Sequence, residues 1–208
     1  MRHINREDIA GYDKRYRTNL INSISGFKSV ALIGTINNQG ATNLAIFSQI
    51  IHIGANPPLT GILFRPHSVP RHTLENIIQT GSFSINHISR DFVREAHHTS
   101  ANWEISEFEA CNFTPEFIEN VKSPFVKEAK VKIGCEFRER QDIKINGTIL
   151  IIGEMMHILL PEEIIQQDGF VDLEQADSLS TLGLDAYYSS QRVGRYSYAR
   201  AAEPLKEI

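Results

Sequence analysis

Cysteine is scarce in this chain: 208 residues contain two, Cys111 and Cys135, far apart and in no CxxC pair. Neither a disulfide framework nor a zinc knuckle is indicated, and Cys135, inside the apolar stretch VKIGCEF, reads as a small buried hydrophobe. Excess basic charge is missing too. The formal net charge is -4, which argues against a dedicated nucleic-acid or anionic-membrane binder, because both need a basic field. A local basic pocket for a phosphate stays compatible with that balance. No run approaches the ~18 apolar residues of a membrane span. The N-terminal stretch MRHINREDIAGYDKRYR alternates charges and lacks the apolar core of a secretory signal, so the expected location is cytoplasmic.

Familiar catalytic signatures are absent as well. No GxGxxG opens a helix after a strand, and there is no GxxxxGK[ST] phosphate loop, no HExxH zinc helix and no GxSxG elbow. Among eight histidines only His97 and His98 are adjacent. Neighbours on a helix point in different directions, so a solvated surface is a better reading of that pair than a metal site.

What is present is an ordinary globular balance, 41% hydrophobic and 22% charged, in a length that suits one domain over residues 1–208. SVALIGTI (Ser29–Ile36) reads as a strand, and Asn37-Asn38-Gln39-Gly40 supplies the chemistry of a tight hairpin turn. A long second strand is expected over Ala41–Gly54, ended by Pro57-Pro58, and a third, buried on both faces, over Leu59–Phe64. Thr73 to Thr80 reads as a short helix with Thr73 as N-cap and Gly81 as its stop. Ser82–Ile88 returns to strand, with Phe83, Ile85 and His87 on one face. Residues from about Arg90 to Glu119 look helical or irregular. VKIGCEFRERQ, DIKING and ILIIGEMMHILL follow as strands, the last two joined at Asn146-Gly147. A tail from about residue 176 closes the chain with GLDAYYSSQRVGRYSYAR. Many strands, hairpin links and brief helices predict a mainly β fold, an antiparallel barrel.

Three stretches can carry chemistry. TNLAIFSQ sets Thr42, Asn43, Ser48 and Gln49 among Leu44, Ala45, Ile46 and Phe47. Such a strand suits a planar heterocycle with hydrogen-bonding edges, and small Ala45 allows close approach; an ordinary strand with a polar outward face fits the periodicity too. FRPHSVPRHTLENI brings Arg65, Ser68, Arg71 and Thr73 to a helix start. Free amides with arginines nearby form a phosphate cradle, and a capped helix with solvated arginines is the competing reading. Asn102-Trp103 and the tyrosines of the tail, Tyr196 among them, can cover an aromatic ligand or simply pack on a barrel end.

GTINNQGATNLAIFSQ, NPPLTGILF, RHTLENIIQTGSFSINH, SEFEACNFTP, the CEF strand and the closing GLDAYYSSQRVGRYSYAR together resemble the flavin reductase-like family of FMN-binding split barrels, flavoredoxins included. The resemblance runs in order over nearly the whole chain. It implies an FMN-binding split barrel of Greek-key type with a few short helices, and a homodimer with one flavin per subunit near the interface. On this sequence it puts Thr42, Asn43, Leu44, Ala45, Ile46, Phe47, Ser48 and Gln49 along the isoalloxazine and ribityl chain. It puts Arg65, Ser68, Arg71 and Thr73 at the phosphate. Asn102, Trp103 and Tyr196 would close the site, the tail lying over it. The implied activity is reduction of FMN by NADH or NADPH through hydride transfer to flavin N5. The alternatives are a non-catalytic FMN store or electron carrier, a pyridoxamine phosphate oxidase-like enzyme, and an interaction or structural barrel that has lost cofactor binding. No separate nicotinamide motif and no catalytic side chain can be assigned.

Overall fold

A computed structural model describes residues 1–208. Two helices come first, α1 (Arg6–Gly11) and α2 (Lys14–Ile24). Neither buries a residue, so local capping holds them: Asn5 and Asp8 form a reciprocal capping box, and Asp13 accepts from the amides of Arg15 and Tyr16. After β1 (Lys28–Ser29), β2 (Ala31–Ile36) begins the main sheet. The turn to β3 (Thr42–Phe47) is fixed by Asn37, whose Oδ1 accepts from the amides of Gln39 and Ala41 at 2.9 Å each.

The expected long second strand breaks. Ser48-Gln49 forms a corner, and β4 (Ile50–Ala55) leaves the neighbourhood of β2 to pair with β5 (Pro58–Phe64). Pro58 therefore opens β5; the proline pair marks a hairpin turn more than a stop. Helix α3 (His72–Thr80) starts at Arg71, which acts as N-cap without a side-chain bond. Thr73 is thus not the cap that its residue type suggests; it is buried inside the first turn, because Asn43 claims its hydroxyl. Gly81 ends the helix at φ 72°. Then come β6 (Ser82–His87), a 3-10 turn (Arg90–Phe92), α4 (Val93–His98), α5 (Glu107–Ala110), β7 (Pro115–Glu116) and β8 (Phe125–Val126). A long hairpin follows, β9 (Lys132–Ile143) and β10 (Thr148–Leu159). DIKING is not a strand of its own: Asp142 and Ile143 finish β9, and the rest turns through Gly147 at φ 73°. A second 3-10 turn (Glu162–Ile164) leads to β11 (Leu179–Leu182) and β12 (Ala186–Ser189), which form a small sheet with β1.

The seven-stranded sheet runs β3-β2-β6-β9-β10-β5-β4, antiparallel throughout. Its two marginal strands, β3 and β4, are consecutive in the chain. The sheet must therefore curl until its margins meet, and the Ser48-Gln49 corner is the seam. Leu63 N donates to Gln49 O at 2.9 Å and Ser29 Oγ to Ile50 O at 3.0 Å across that seam.

Alternation along β2 feeds two cores. Ala31 and Ile33 point with Ile62, Phe64, Leu74, Ile77, Phe83 and Ile151 into the interior under α3, whereas Val30 and Leu32 join Leu44, Ile88, Phe92 and Phe108 beneath α4 and α5. No helix of the chain is long and apolar enough to cross a membrane. Between the cores, Ser84 Oγ donates to Pro124 O at 2.5 Å and Val126 N donates to Asn86 Oδ1 at 2.9 Å, pinning the backbone of residues 123–126 across β2 and β6. Gly34 makes room for that crossing: a methyl there would stand 2.2 Å from Pro124 O and 2.5 Å from Ser84 Oγ. Since the obstructing atom is backbone, Gly34→Ala should lower unfolding stability by roughly 2 to 3 kcal/mol. Urea titration checks this, and an unchanged midpoint would mean that the 123–126 segment yields freely.

Candidate functional site

The loop from β5 to α3 gathers donors without acceptors to match. Its residues 65–71 are short of helix-forming pattern, interrupted by Pro66 and Pro70, so the chain reaches α3 with its first-turn amides uncovered. The amides of His72, Thr73 and Leu74 donate to no protein group. Arg65 has no ion-pair partner, and the Arg71 guanidinium reaches only the carbonyl of Pro66, at 3.3 and 3.4 Å. Ser68 is exposed in the same loop. One carboxylate intrudes. Glu75 Oε1 accepts from the Arg71 amide at 2.9 Å and contacts His67 Nε2 at 2.8 Å. The Arg71 amide first, then His67, holds the Glu75 carboxyl below the usual carboxylate range. Glu75 is an internal anion at the start of α3, where the charges that act on it are those of His67 and His72.

Beside this cradle a buried polar cluster ties α3 to the sheet. Asn43 Nδ2 donates to Thr73 Oγ1 at 3.0 Å and to Thr35 Oγ1 at 3.3 Å, and Asn76 Nδ2 donates to Thr35 Oγ1 at 3.1 Å. All four side chains are buried. A cleft of about 320 Å³ opens along the exposed flank of α3, lined by Thr42, Asn43, His72, Glu75, Asn76 and Trp103 among others.

The free margin of β3 is guarded from outside. Leu44 N donates to Glu107 Oε2 at 3.0 Å, Ile46 N donates to Thr99 Oγ1 at 3.1 Å, and Thr42 Oγ1 lies 2.9 Å from Ser106 Oγ. Leu44 itself packs into the core under α4 and α5, with Ile46 against it. Ala45, Phe47, Ser48 and Gln49 stay half-buried, Phe47 edge-on to Phe64.

Of the residues singled out by the sequence, the fold thus brings Asn43 to Thr73, and Thr42, Asn43 and Trp103 to one cleft. Trp103 is half-buried, its Nε1 donating to His98 O at 3.1 Å, and Asn102 is exposed next to it. Tyr196 is not brought to these residues by any hydrogen bond; it is exposed and bridges to Glu207 within the tail. Thr35, Glu75, Asn76, Thr99 and Glu107 were not singled out. Asn76 alone carried a local signal, lying three residues after Thr73 and so on the same helix face.

A seven-stranded antiparallel sheet curled until its margins meet at a corner is the geometry of a split barrel. Residues 27–174 match the flavin reductase like domain, and the chain belongs to that family. A candidate flavin reductase with a split barrel domain from Shewanella frigidimarina NCIMB 400 is 45% identical, with a TM-score of 0.92 over 96% of this chain and 100% of the other. The 2-nitrobenzoate 2-nitroreductase NbaA of Pseudomonas fluorescens shares the fold at 24% identity, with a TM-score of 0.81 and 98% of each chain covered. Nitrilotriacetate monooxygenase component B of Bacillus cereus does so at 23% identity and a TM-score of 0.80, over 92% of this chain and 96% of that one. The family makes this a flavin-related oxidoreductase.

Glu75 supplies a test of the cradle's sign. Glu75→Gln keeps an acceptor for the Arg71 amide and removes the competing charge. At a screened, partly exposed site such a charge is worth roughly 0.5 to 1 kcal/mol. Inorganic phosphate and FMN should then bind about two- to five-fold more tightly by isothermal calorimetry, and weaker binding would reverse the assignment.

Proposed function

We propose that the protein is a homodimeric oxidoreductase that holds FMN and reduces it with NADH or NADPH. The observation that carries this reading is the α3 start: three free amides and two guanidiniums without carboxylate partners, on a chain whose net charge is -4. That donor set fits the phosphate of a mononucleotide. In this reading Arg65, Ser68, Arg71 and the Thr73 hydroxyl hold the phosphate. The half-buried corner Ala45, Phe47, Ser48 and Gln49 lies along the ring system. Asn102 and Trp103 cover the cleft side, and Tyr196 reaches the site from the partner copy. Flavin, when bound, supplies a ring that takes up a hydride at N5 and releases electrons singly or in pairs. The protein's share is then to orient the ring, to exclude water from it and to place positive potential at the anionic end. No side chain here needs to transfer a proton. Two free, buried cysteines suit a reducing, cytoplasmic setting.

The dimer rests on the outer face of β4, β5 and β10. Ile62 and Ile151 point inward, so their strand neighbours point out: Ile51, Leu63, Leu150 and Ile152 form a sheet face with no layer over it. Ile53 joins them. The open side of Gly61 lies against Ile53 Cδ1 and Leu150 Cδ1 alike, so the patch is continuous. Ile51 and Ile53 remain 45% and 41% exposed, an unusual state for neighbouring apolar side chains on a marginal strand. Sedimentation equilibrium should give twice the chain mass, and Ile53→Lys should shift it to one chain. A monomeric wild type would remove the dimer from this reading.

Function itself is tested by mixing the FMN-loaded protein with NADH and with NADPH. Bleaching of the flavin absorbance by at least one donor is expected, with multiple turnovers when free FMN is added. Flavin that binds but is bleached by neither donor would replace this reading with that of a flavin store or carrier. Arg71→Ala should weaken FMN about 10- to 100-fold, the worth of a charge-assisted hydrogen bond, and change riboflavin less than about twofold.

A further inference from the structure

Thr35 lies on β2 directly opposite Asn43 and is fully buried, one side chain removed from the Thr73 hydroxyl. Its Oγ1 accepts two amide protons, one from Asn43 on β3 and one from Asn76 on α3. Two lone pairs are thereby filled, and two carboxamides on different elements are held in fixed rotation. Asn43 spends its second amide proton on Thr73 Oγ1. The direction of that bond matters. A hydroxyl facing an N–H donor cannot aim its own proton at the same neighbour, so the Thr73 O–H is left to donate elsewhere. Thr73 sits in the first turn of α3, beside its own free amide and those of His72 and Leu74. A hydroxyl that already accepts a bond is also the stronger donor.

On the reading of the cradle given above, we propose that Thr35 is a positioning residue for phosphate recognition. Through Asn43 and Asn76 it locks the first turn of α3 to β2 and β3 and keeps the Thr73 hydroxyl in the donor sense. Thr35, Asn43 and Asn76 thereby set the preference for a phosphorylated flavin over a bare one, without touching the phosphate. The network couples the two halves of the site, since Asn43 lies on the strand assigned to the ring system and Thr73 on the helix assigned to the phosphate.

The test compares FMN with riboflavin, both titrated by fluorescence quenching into the full-length protein. Thr35→Val is nearly isosteric and removes the shared acceptor. It should weaken FMN about tenfold and riboflavin less than twofold, in a protein whose far-ultraviolet dichroism and cooperative melting are retained. Thr35→Ser restores the acceptor and should recover most of the FMN affinity. If Thr35→Val fails to fold, Asn76→Ala carries the same comparison, because it frees one side of the same oxygen. Equal weakening of both flavins, or of neither, overturns the positioning role. A wild type that binds FMN no better than riboflavin overturns the cradle itself, and the role of Thr35 falls with it; that result is distinct from a wild type that discriminates while the variants leave the ratio unchanged.

Discussion

The geometry of this protein hangs on the corner at Ser48-Gln49. Because β3 and β4 are one stretch of chain yet stand at opposite margins of a seven-stranded sheet, no flat or gently twisted arrangement can satisfy both sets of pairings. Right-handed twist brings the margins toward each other, and the corner completes the approach. Ala45, Phe47, Ser48 and Gln49 lie at or next to that seam. β3 leads into it, β4 runs away from it, β5 returns to it, and the loop after β5 leads to the start of α3. The seam follows from closing a sheet whose last connection is supplied by chain continuity.

Charge is distributed to match. A chain with a net charge of -4 repels anions at long range, but at a few ångströms the local groups decide. Arg65 and Arg71 stand in the loop that ends at the positive end of the α3 dipole, and the carboxylate there, Glu75, is occupied with the Arg71 amide and His67. By contrast, Arg90, Arg138, Arg140, Arg192, Arg195 and Arg200 are all neutralised by carboxylates. Arg2, Arg6, Arg15, Arg17 and Arg94 lack carboxylate partners as well, so what sets Arg65 and Arg71 apart is their place in the loop before α3.

Features set by neighbouring residues were legible in the sequence. The Asn37 turn, the Gly81 stop and the Asn146-Gly147 hairpin each depend on side chains within five positions of the backbone they organise. The run of donors from Arg65 to Thr73 that is proposed for a phosphate was visible for the same reason, since it is contiguous. The capping box of α1 was equally local, Asn5 with Asp8, and could have been found. What escaped was set by tertiary partners. Nothing in Ala41–Gly54 announces that its pairing partner changes midway. Thr73 has the residue type of a cap, yet Asn43, 30 positions earlier, draws it inside the helix. Glu107 meets the Leu44 amide across 63 residues, and no composition rule connects them. Thr35 hides at the end of an apolar run, where a single threonine looks like ordinary strand chemistry.

The guard along β3 has a consequence for the molecule at high concentration. A marginal strand normally offers a row of unmet amides and carbonyls, a template on which a stranger's strand can add. Here Glu107 and Thr99 already occupy the amides of Leu44 and Ile46, while Ser106 sits against Thr42. These are side chains, which carry no further backbone row, so the ladder stops there and cannot propagate. The helical excursion between β6 and β9 thus closes off the margin of the sheet without adding a strand to it.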